Sequence, residues 1–151
     1  MVTAQDCKYD QVIPPAAILD NTSATEIEID TLGYHYAEII VFLGATDIAI
    51  TALKLQETDT SGSGEADITG ATWSAGTDID GTALALPSAT DDNQICVFQV
   101  DLRKRKRYLS CVVTFGDGTV GGYVAAVARL SRGDVAETTS TAMADGGVLR
   151  I

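Results

Sequence analysis

The chain of 151 residues has little of what metalloproteins and secreted proteins rely on. It contains one histidine, His35, and three cysteines, Cys7, Cys96 and Cys111, with no Cys-x-x-Cys spacing. Zinc sites are built mainly from Cys and His ligands, so no zinc site is expected. Three cysteines, an odd number, also do not form the paired framework of a small secreted protein. The sequence predicts reduced, buried thiols.

Long hydrophobic runs are also missing. No apolar run approaches the roughly 18 residues that a membrane-spanning helix requires. The first residues, Met1–Cys7, do not combine a basic region with an apolar one, which is the pattern of a secretory signal. We therefore expect a protein that is made in the cytoplasm and does not cross a membrane.

Positive charge is scarce and concentrated in one place. Ten Lys and Arg residues stand against 21 Asp and Glu, a formal net charge of −11, so nucleic-acid binding is not expected. Half of the basic residues form one run: Arg103, Lys104, Arg105, Lys106 and Arg107. This run either meets an acidic partner surface, such as a sister subunit, or is a solvated turn whose charge protects a strand edge from pairing.

Sequence motifs for catalysis, cofactors or metal ions are lacking. Asp78–Gly81 and Asp91–Asn93 do not supply the oxygen ligands of a calcium loop at the required spacing. The glycine-rich Gly116–Gly122 has no Gly-Lys-Ser/Thr for phosphate, and His35 has no Gly-x-Ser-x-Gly partner motif. The sequence predicts a non-enzymatic protein with no cofactor and no metal.

Short β-branched runs, each followed by turn residues, dominate the second half of the chain. The runs Ile95–Leu102, Tyr108–Phe115 and Tyr123–Leu130 predict an antiparallel meander of three neighbouring strands. Cys96 and Cys111 lie almost symmetrically about the first turn. They are therefore expected to lie near each other across a hairpin, as small core residues.

The first half shows the same period of two. Strands are expected near residues 11–18, 25–30, 36–43 and 50–57, with one or two more in 66–86. Alternation places Ile27 and Ile29 of one strand, and Leu53 and Leu55 of another, toward the core. The run at 36–43 is the longest apolar run of the first half and predicts a buried central strand. About eight short strands indicate an all-β fold, an antiparallel sandwich or jelly roll.

Two segments are predicted to flank this single β domain of residues 23–132. Pro14 and Pro15 indicate that residues 1–22 form an extended arm or an edge strand, because proline cannot donate to a sheet. The small, polar residues of 133–151 predict a second arm held by a neighbouring subunit, with Thr138, Thr139 and Met143 as candidate contacts. A long loop region, 58–93, surrounds Trp73 and is a further candidate interaction surface.

Four stretches carry a resemblance to a known class of protein. The segments Tyr36–Gly44, Ala52–Asp59, Arg107–Thr119 and Tyr123–Arg132 resemble small β-rich structural proteins of tailed bacteriophages, and most of all the decoration, or cement, proteins of phage heads. The resemblance implies a jelly-roll-like protein that trimerises on the outside of the capsid, contacts the major capsid protein and stabilises the head without chemistry. It supplies no catalytic residues.

Alternative functions remain at this stage. The loops around Trp73 are compatible with a virion module that binds carbohydrate or a receptor, because sugar binding favours an exposed aromatic ring. A component of the head–tail junction or of the tail would also need only a stable sandwich with adhesive ends. The sequence thus predicts a virion structural protein and leaves its position in the virion open.

Overall fold

The computed structural model describes residues 5–149, and nearly all of their regular structure is β. The strands are β1 (Lys8–Ile13), β2 (Ile29–Asp30), β3 (Tyr36–Thr46), β4 (Ile50–Thr58), β5 (Ala66–Thr72), β6 (Ile95–Asp101), β7 (Tyr108–Phe115) and β8 (Gly122–Ser131). Two 3₁₀ turns, Trp73–Ala75 and Leu102–Lys104, and one short helix, α1 (Ser140–Met143), complete the described elements.

The strands form two four-stranded antiparallel sheets that pack face to face. Sheet A has the order β1-β8-β3-β6, and sheet B has the order β2-β7-β4-β5. The first strand thus pairs with the last, the second with the seventh, the third with the sixth and the fourth with the fifth. This is the winding of one long hairpin rolled into two sheets, which is the jelly roll. The predicted all-β, sandwich or jelly-roll fold is confirmed.

The predicted meander of the last three strands is wrong. β6 and β8 both pair with β3 in sheet A, whereas β7 lies in sheet B between β2 and β4. The connections 102–107 and 116–121 therefore cross from one sheet to the other. Turn residues mark where a chain reverses, but they do not say whether the next strand joins the same sheet. Cys96 and Cys111 consequently lie on facing sheets and not across a hairpin.

The hydrophobic core fills the space between the sheets. Leu53 and Leu55 of β4 are fully buried, as their alternation predicted. Each such side chain contributes roughly 1.5–3 kcal/mol of transfer free energy. Cys96 and Cys111 are free thiols that point into this core, and burial raises the pKa of Cys111 to about 12. A thiol this hard to ionise is chemically inert.

The second predicted strand is shorter than expected. Only Ile29 and Asp30 pair with β7, and Ile27 is exposed although the pattern placed it inward. The backbone N–H of Ile27 instead donates to the carbonyl of Val12, 2.7 Å away, so this stretch is held against β1 as a loop. Of the one or two strands predicted in 66–86, one is present, β5, and residues 76–94 form a long loop with an isolated bridge between Thr77 and Ala83.

The N-terminal segment is an edge strand. β1 pairs with β8 at the edge of sheet A, and its last residues, Val12 and Ile13, are buried in the core. This is the edge-strand alternative of the sequence analysis. Residues 1–4 and 150–151 of the two predicted arms lie outside the described residues.

Candidate interaction surfaces

The basic turn, Arg103–Arg107, connects β6 of sheet A to β7 of sheet B. Arg107 binds Asp30 with two parallel hydrogen bonds, Nε to Oδ1 at 2.9 Å and Nη2 to Oδ2 at 2.7 Å. Its guanidinium also lies 4.9 Å from the centre of the Tyr108 ring. These bonds lower the pKa of the Asp30 carboxyl below its usual value. The end of the turn is thereby fixed to β2.

Most of the charge of the basic turn is met inside the chain. Three ion pairs do this: Arg103 with Asp101, Arg105 with Glu57, and Arg107 with Asp30. The remaining residues, Lys104 and Lys106, have no ion pair with any carboxylate in residues 5–149, and Lys104 is exposed. The structure therefore places the five predicted contact residues together, but it leaves only the two lysines for an acidic partner.

Pro14 and Pro15 lie in a loop that is attached at both ends. The carbonyl of Pro14 accepts a hydrogen bond from the N–H of Ala16 at 2.8 Å. The chain then returns to the sheet, where Leu19 and Gly122 exchange two backbone hydrogen bonds of 2.9 Å. Pro15 is exposed, so it is accessible to a partner, whereas the loop around it is fixed.

The C-terminal segment, residues 133–149, folds back on its own chain. The N–H of Gly133 donates to the carbonyl of Asp6 at 3.1 Å, and the N–H of Glu137 donates to the carbonyl of Gln5 at 2.8 Å. Backbone hydrogen bonds of this kind place little demand on the sequence. They explain how a stretch of small polar residues acquires a fixed path.

Two side-chain pairs reinforce this attachment. The hydroxyl of Tyr34 donates to the carboxylate of Glu137, and burial together with this carboxylate raises the pKa of Tyr34. The only histidine, His35, lies with Nε2 at 2.7 Å from Oδ1 of Asp134. Tyr34 and His35, which directly precede β3, thus attach the C-terminal segment at Glu137 and Asp134.

The predicted contact residues of the C-terminal segment differ in accessibility. Thr138 is exposed. Thr139 caps α1, because its Oγ1 accepts a hydrogen bond from the N–H of Ala142 at 3.1 Å. Met143 is buried against its own chain, so only Thr138 and the outer side of Thr139 are presented to a partner in this arrangement.

A groove of about 740 Å³ lies between the 70–84 loop and the edge of sheet A. Trp73 forms one wall, half-buried, with its ring edge-on to Phe98 at a centroid distance of 5.1 Å and an angle of 77°. The polar side chains of Glu38, Asp78 and Gln99 also line the groove. An aromatic wall with several hydrogen-bonding groups fits a small polar ligand.

The outer surface of sheet A carries a cluster that the sequence analysis missed. Six apolar side chains on β3, β6 and β8 point away from the core. Together they are here called the apolar face: Ile40 and Phe42 of β3, Ile95 and Val97 of β6, and Ala125 and Val127 of β8. A signal was present, because the runs 39–43 and 123–128 lack the polar residues that alternate in a strand exposed on one side.

Comparisons with known proteins give no match. Neither a family model, nor a curated protein, nor a solved structure matches the chain. Among the described residues, no group of three or more His, Cys, Asp or Glu side chains is placed to hold a metal ion. Within residues 5–149, no helix has the length and apolar character needed to span a membrane.

Proposed function

We propose that this protein is a non-enzymatic structural protein of a virion. In this proposal it decorates the outside of a phage capsid as a homo-oligomer, contacts the major capsid protein and stabilises the head. The observation that carries the proposal is the jelly-roll strand order, an architecture that viral capsid proteins share with lectin domains and cupins. Fold alone does not determine function, so the surfaces must supply further support.

The surfaces suit contacts that are individually weak and repeated many times. A capsid offers many identical positions, and linked attachment at several of them makes weak single contacts sufficient. The exposed Lys104 and the nearby Lys106 offer contacts of this kind. The two lysines are the part of an otherwise acidic chain that suits an acidic capsid surface.

The test is binding to empty heads of the phage that encodes the protein. We expect the purified protein to sediment with the heads and to raise their melting temperature, because it binds only the assembled shell. The double variant Lys104→Glu and Lys106→Glu is expected to weaken binding by about tenfold or more, since each rim contact that becomes repulsive lowers affinity. Its control is Lys8→Glu, a lysine of β1 that is not part of the turn and that pairs with Asp10. A wild-type protein that ignores heads contradicts the proposal.

A second candidate function is favoured by the groove beside Trp73. Its aromatic wall and its polar side chains suit a carbohydrate, and lectin domains share the jelly roll. The test is a glycan screen read out by Trp73 fluorescence, the only tryptophan signal in the chain. The matched variants are Gln99→Ala, inside the groove, and Gln11→Ala, outside it on β1. Glycan binding that Gln99→Ala abolishes, with no affinity for heads, would replace the first function by this one.

A further inference from the structure

The outer surfaces of the two sheets differ in chemistry. Sheet B exposes polar side chains along β4, including Lys54 and Gln56, which both bind Asp67 of the neighbouring strand. This is the usual alternation of an antiparallel sheet with one face in water. Sheet A interrupts that alternation with the apolar face. Strands that are apolar on both sides are typical of sheets that are covered on both sides.

Cross-strand register makes the apolar face continuous. Phe42 lies opposite Ala125 on one side and opposite Ile95 on the other. In the next row, Ile40 lies between Val127 and Val97. Directly opposite residues of an antiparallel sheet have Cβ atoms about 5 Å apart, so the two rows of three form one patch.

Tyr123 extends this patch beyond Phe42. Its side chain lies over Gly44 of β3, where a Cβ atom would come within 2.9 Å of the Cβ of Tyr123. The absence of a side chain at position 44 thus makes room for the Tyr123 side chain next to β3. Pro15 lines the same shallow pocket as Phe42 and Tyr123 and closes the patch on the β1 side.

The exposed apolar area is about three quarters of what a standard protein contact buries. The exposed fractions are 43% for Phe42, 50% for Tyr123, 61% for Ile95 and 40% for Val97. With roughly 200 Å² for an aromatic and roughly 150 Å² for an aliphatic side chain, these four side chains offer about 340 Å² of apolar surface. A standard interface buries about 800 Å² on each partner, of which roughly 450 Å² is apolar.

The charge distribution favours an uncharged contact, which a second copy can supply with the same face. The chain carries a net charge of −11, so two copies repel each other unless they meet through an uncharged surface. The two apolar rows contain no charged residue, and the nearest carboxylates beside the Glu38 row are at their margins, where Asp145 and Asp78 line the flanking pockets. In the following row, Glu38 and Arg129 neutralise each other, with Nη1 to Oε2 at 2.9 Å. A basic partner would instead be attracted to the acidic remainder of the surface.

We propose that a second copy of this chain docks on the apolar face, so that two sheets A pack face to face about a twofold axis. The same patch then serves both copies, as in any isologous contact. Side chains of two packed sheets interdigitate across about 10 Å, which would bury Phe42 and Ile95 of both copies. The inference rests on the homo-oligomer of the proposed function, but it assigns a dimer contact where the resemblance implies a trimer.

The experiment is sedimentation of the purified protein from about 1 to 100 µM, a range that detects contacts of micromolar affinity. The wild type is expected at twice the monomer mass of 15.8 kDa. Phe42→Glu and Ile95→Glu are each expected to raise the dissociation constant at least about tenfold, because each brings a desolvated, unpaired charge into the contact. Both side chains point outward, so circular dichroism is expected to show unchanged folding.

Two controls separate docking from a general effect of added charge. Leu32→Glu changes another exposed apolar residue, in the turn after β2, and is expected to leave the dimer intact. Phe42→Leu keeps an apolar side chain at the same position and is expected to leave most of the association intact, since it brings no charge into the contact.

Several outcomes would overturn the inference. They are a wild type that stays monomeric at the highest concentration, a trimer, and a dimer that Phe42→Glu leaves unchanged. A monomer whose binding to heads is lost in Phe42→Glu would also overturn it, and would assign the face to a capsid contact. A wild type that forms the dimer but does not bind heads would instead support this inference and contradict the proposed function.

Discussion

The carboxylate of Asp47 accepts a hydrogen bond from the backbone N–H of Gly121 at 2.7 Å, across 74 positions of sequence. The same carboxylate accepts from the N–H groups of Thr119 and Val120, at 3.0 and 2.8 Å. Asp47 lies in the turn between β3 and β4, and the three donors lie in the connection from β7 to β8. One side chain thus ties together two connections that cross between the sheets.

We expect Asp47→Ala to lower the melting temperature by a few degrees. Three N–H groups would lose their charged acceptor, although water can replace part of it because Asp47 is exposed. Differential scanning calorimetry measures the effect. Asp117→Ala is the matched control, because Asp117 lies in the same connection, is exposed and has no hydrogen bond among the described residues. Equal melting temperatures for both variants would contradict the assigned role.

Gly121→Ala is expected to destabilise the protein by more than about 2 kcal/mol. Gly121 has a φ of +91°, and a Cβ added there would lie 2.3 Å from the carbonyl oxygen of Leu19. The strain and the clash act together, and the clashing atom is backbone, which cannot move aside without breaking the pairing of Leu19 with Gly122. Urea unfolding gives the free energy. Gly146→Ala, in open space with no positive φ, should stay within about 0.5 kcal/mol of the wild type.

Acid is expected to destabilise the fold through aspartates that are hydrogen-bonded only in the native state. The pKa is lowered by such bonds for Asp30, Asp47, Asp67, Asp91 and Asp101. A lowered native pKa stabilises the fold above the unfolded value of about 3.9, and this contribution is lost as pH falls through the native pKa. The urea concentration at the unfolding midpoint should therefore decrease as the pH is lowered below about 4.

The contribution of one pair to this profile can be isolated. Asp30→Asn removes the ionisation that the Arg107 guanidinium favours, so the difference in urea midpoint between this variant and the wild type should shrink as pH falls from 5 toward 2. A difference that is constant over that range would show that Asp30 does not act through its charge.

The core is expected to respond strongly to truncation. Leu53 is fully buried between the sheets, so Leu53→Ala should cost about 2–5 kcal/mol through lost burial and the cavity left behind. Leu32→Ala, at a leucine that is largely exposed, should change stability by less than about 0.5 kcal/mol. Chemical denaturation of both variants measures the contrast. Similar values would mean that Leu53 is not at the centre of the packing.

Sequence patterns located the strands well because period two is a local property. The predicted bounds of β7 are the observed ones, and those of β3, β4 and β8 differ by at most three residues. Strand partners could not be predicted in the same way, since partner choice depends on contacts between distant segments. The jelly roll pairs neighbours in sequence only at β4 and β5, so the predicted meander of consecutive strands was wrong.

The candidate surfaces were predictable to different degrees. The basic turn was visible as a charge run, but its ion pairs with Asp30 and Glu57 join residues far apart in sequence and appear only in the fold. The apolar run of β3 was interpreted as a buried central strand. β3 is central in sheet A, but only its inner side is covered, and Ile40 and Phe42 lie on the outer side.

The attachment of residues 133–137 to Gln5 and Asp6 brings the two ends of the described chain to one corner of the domain. Gln5 and Val148 line the same small pocket there. A short linker could therefore join the ends, and new ends could be opened in the exposed loop at residues 59–64 without separating any strand from its partner. Circular permutation would leave the architecture intact, because the break and the join both lie outside the paired strands.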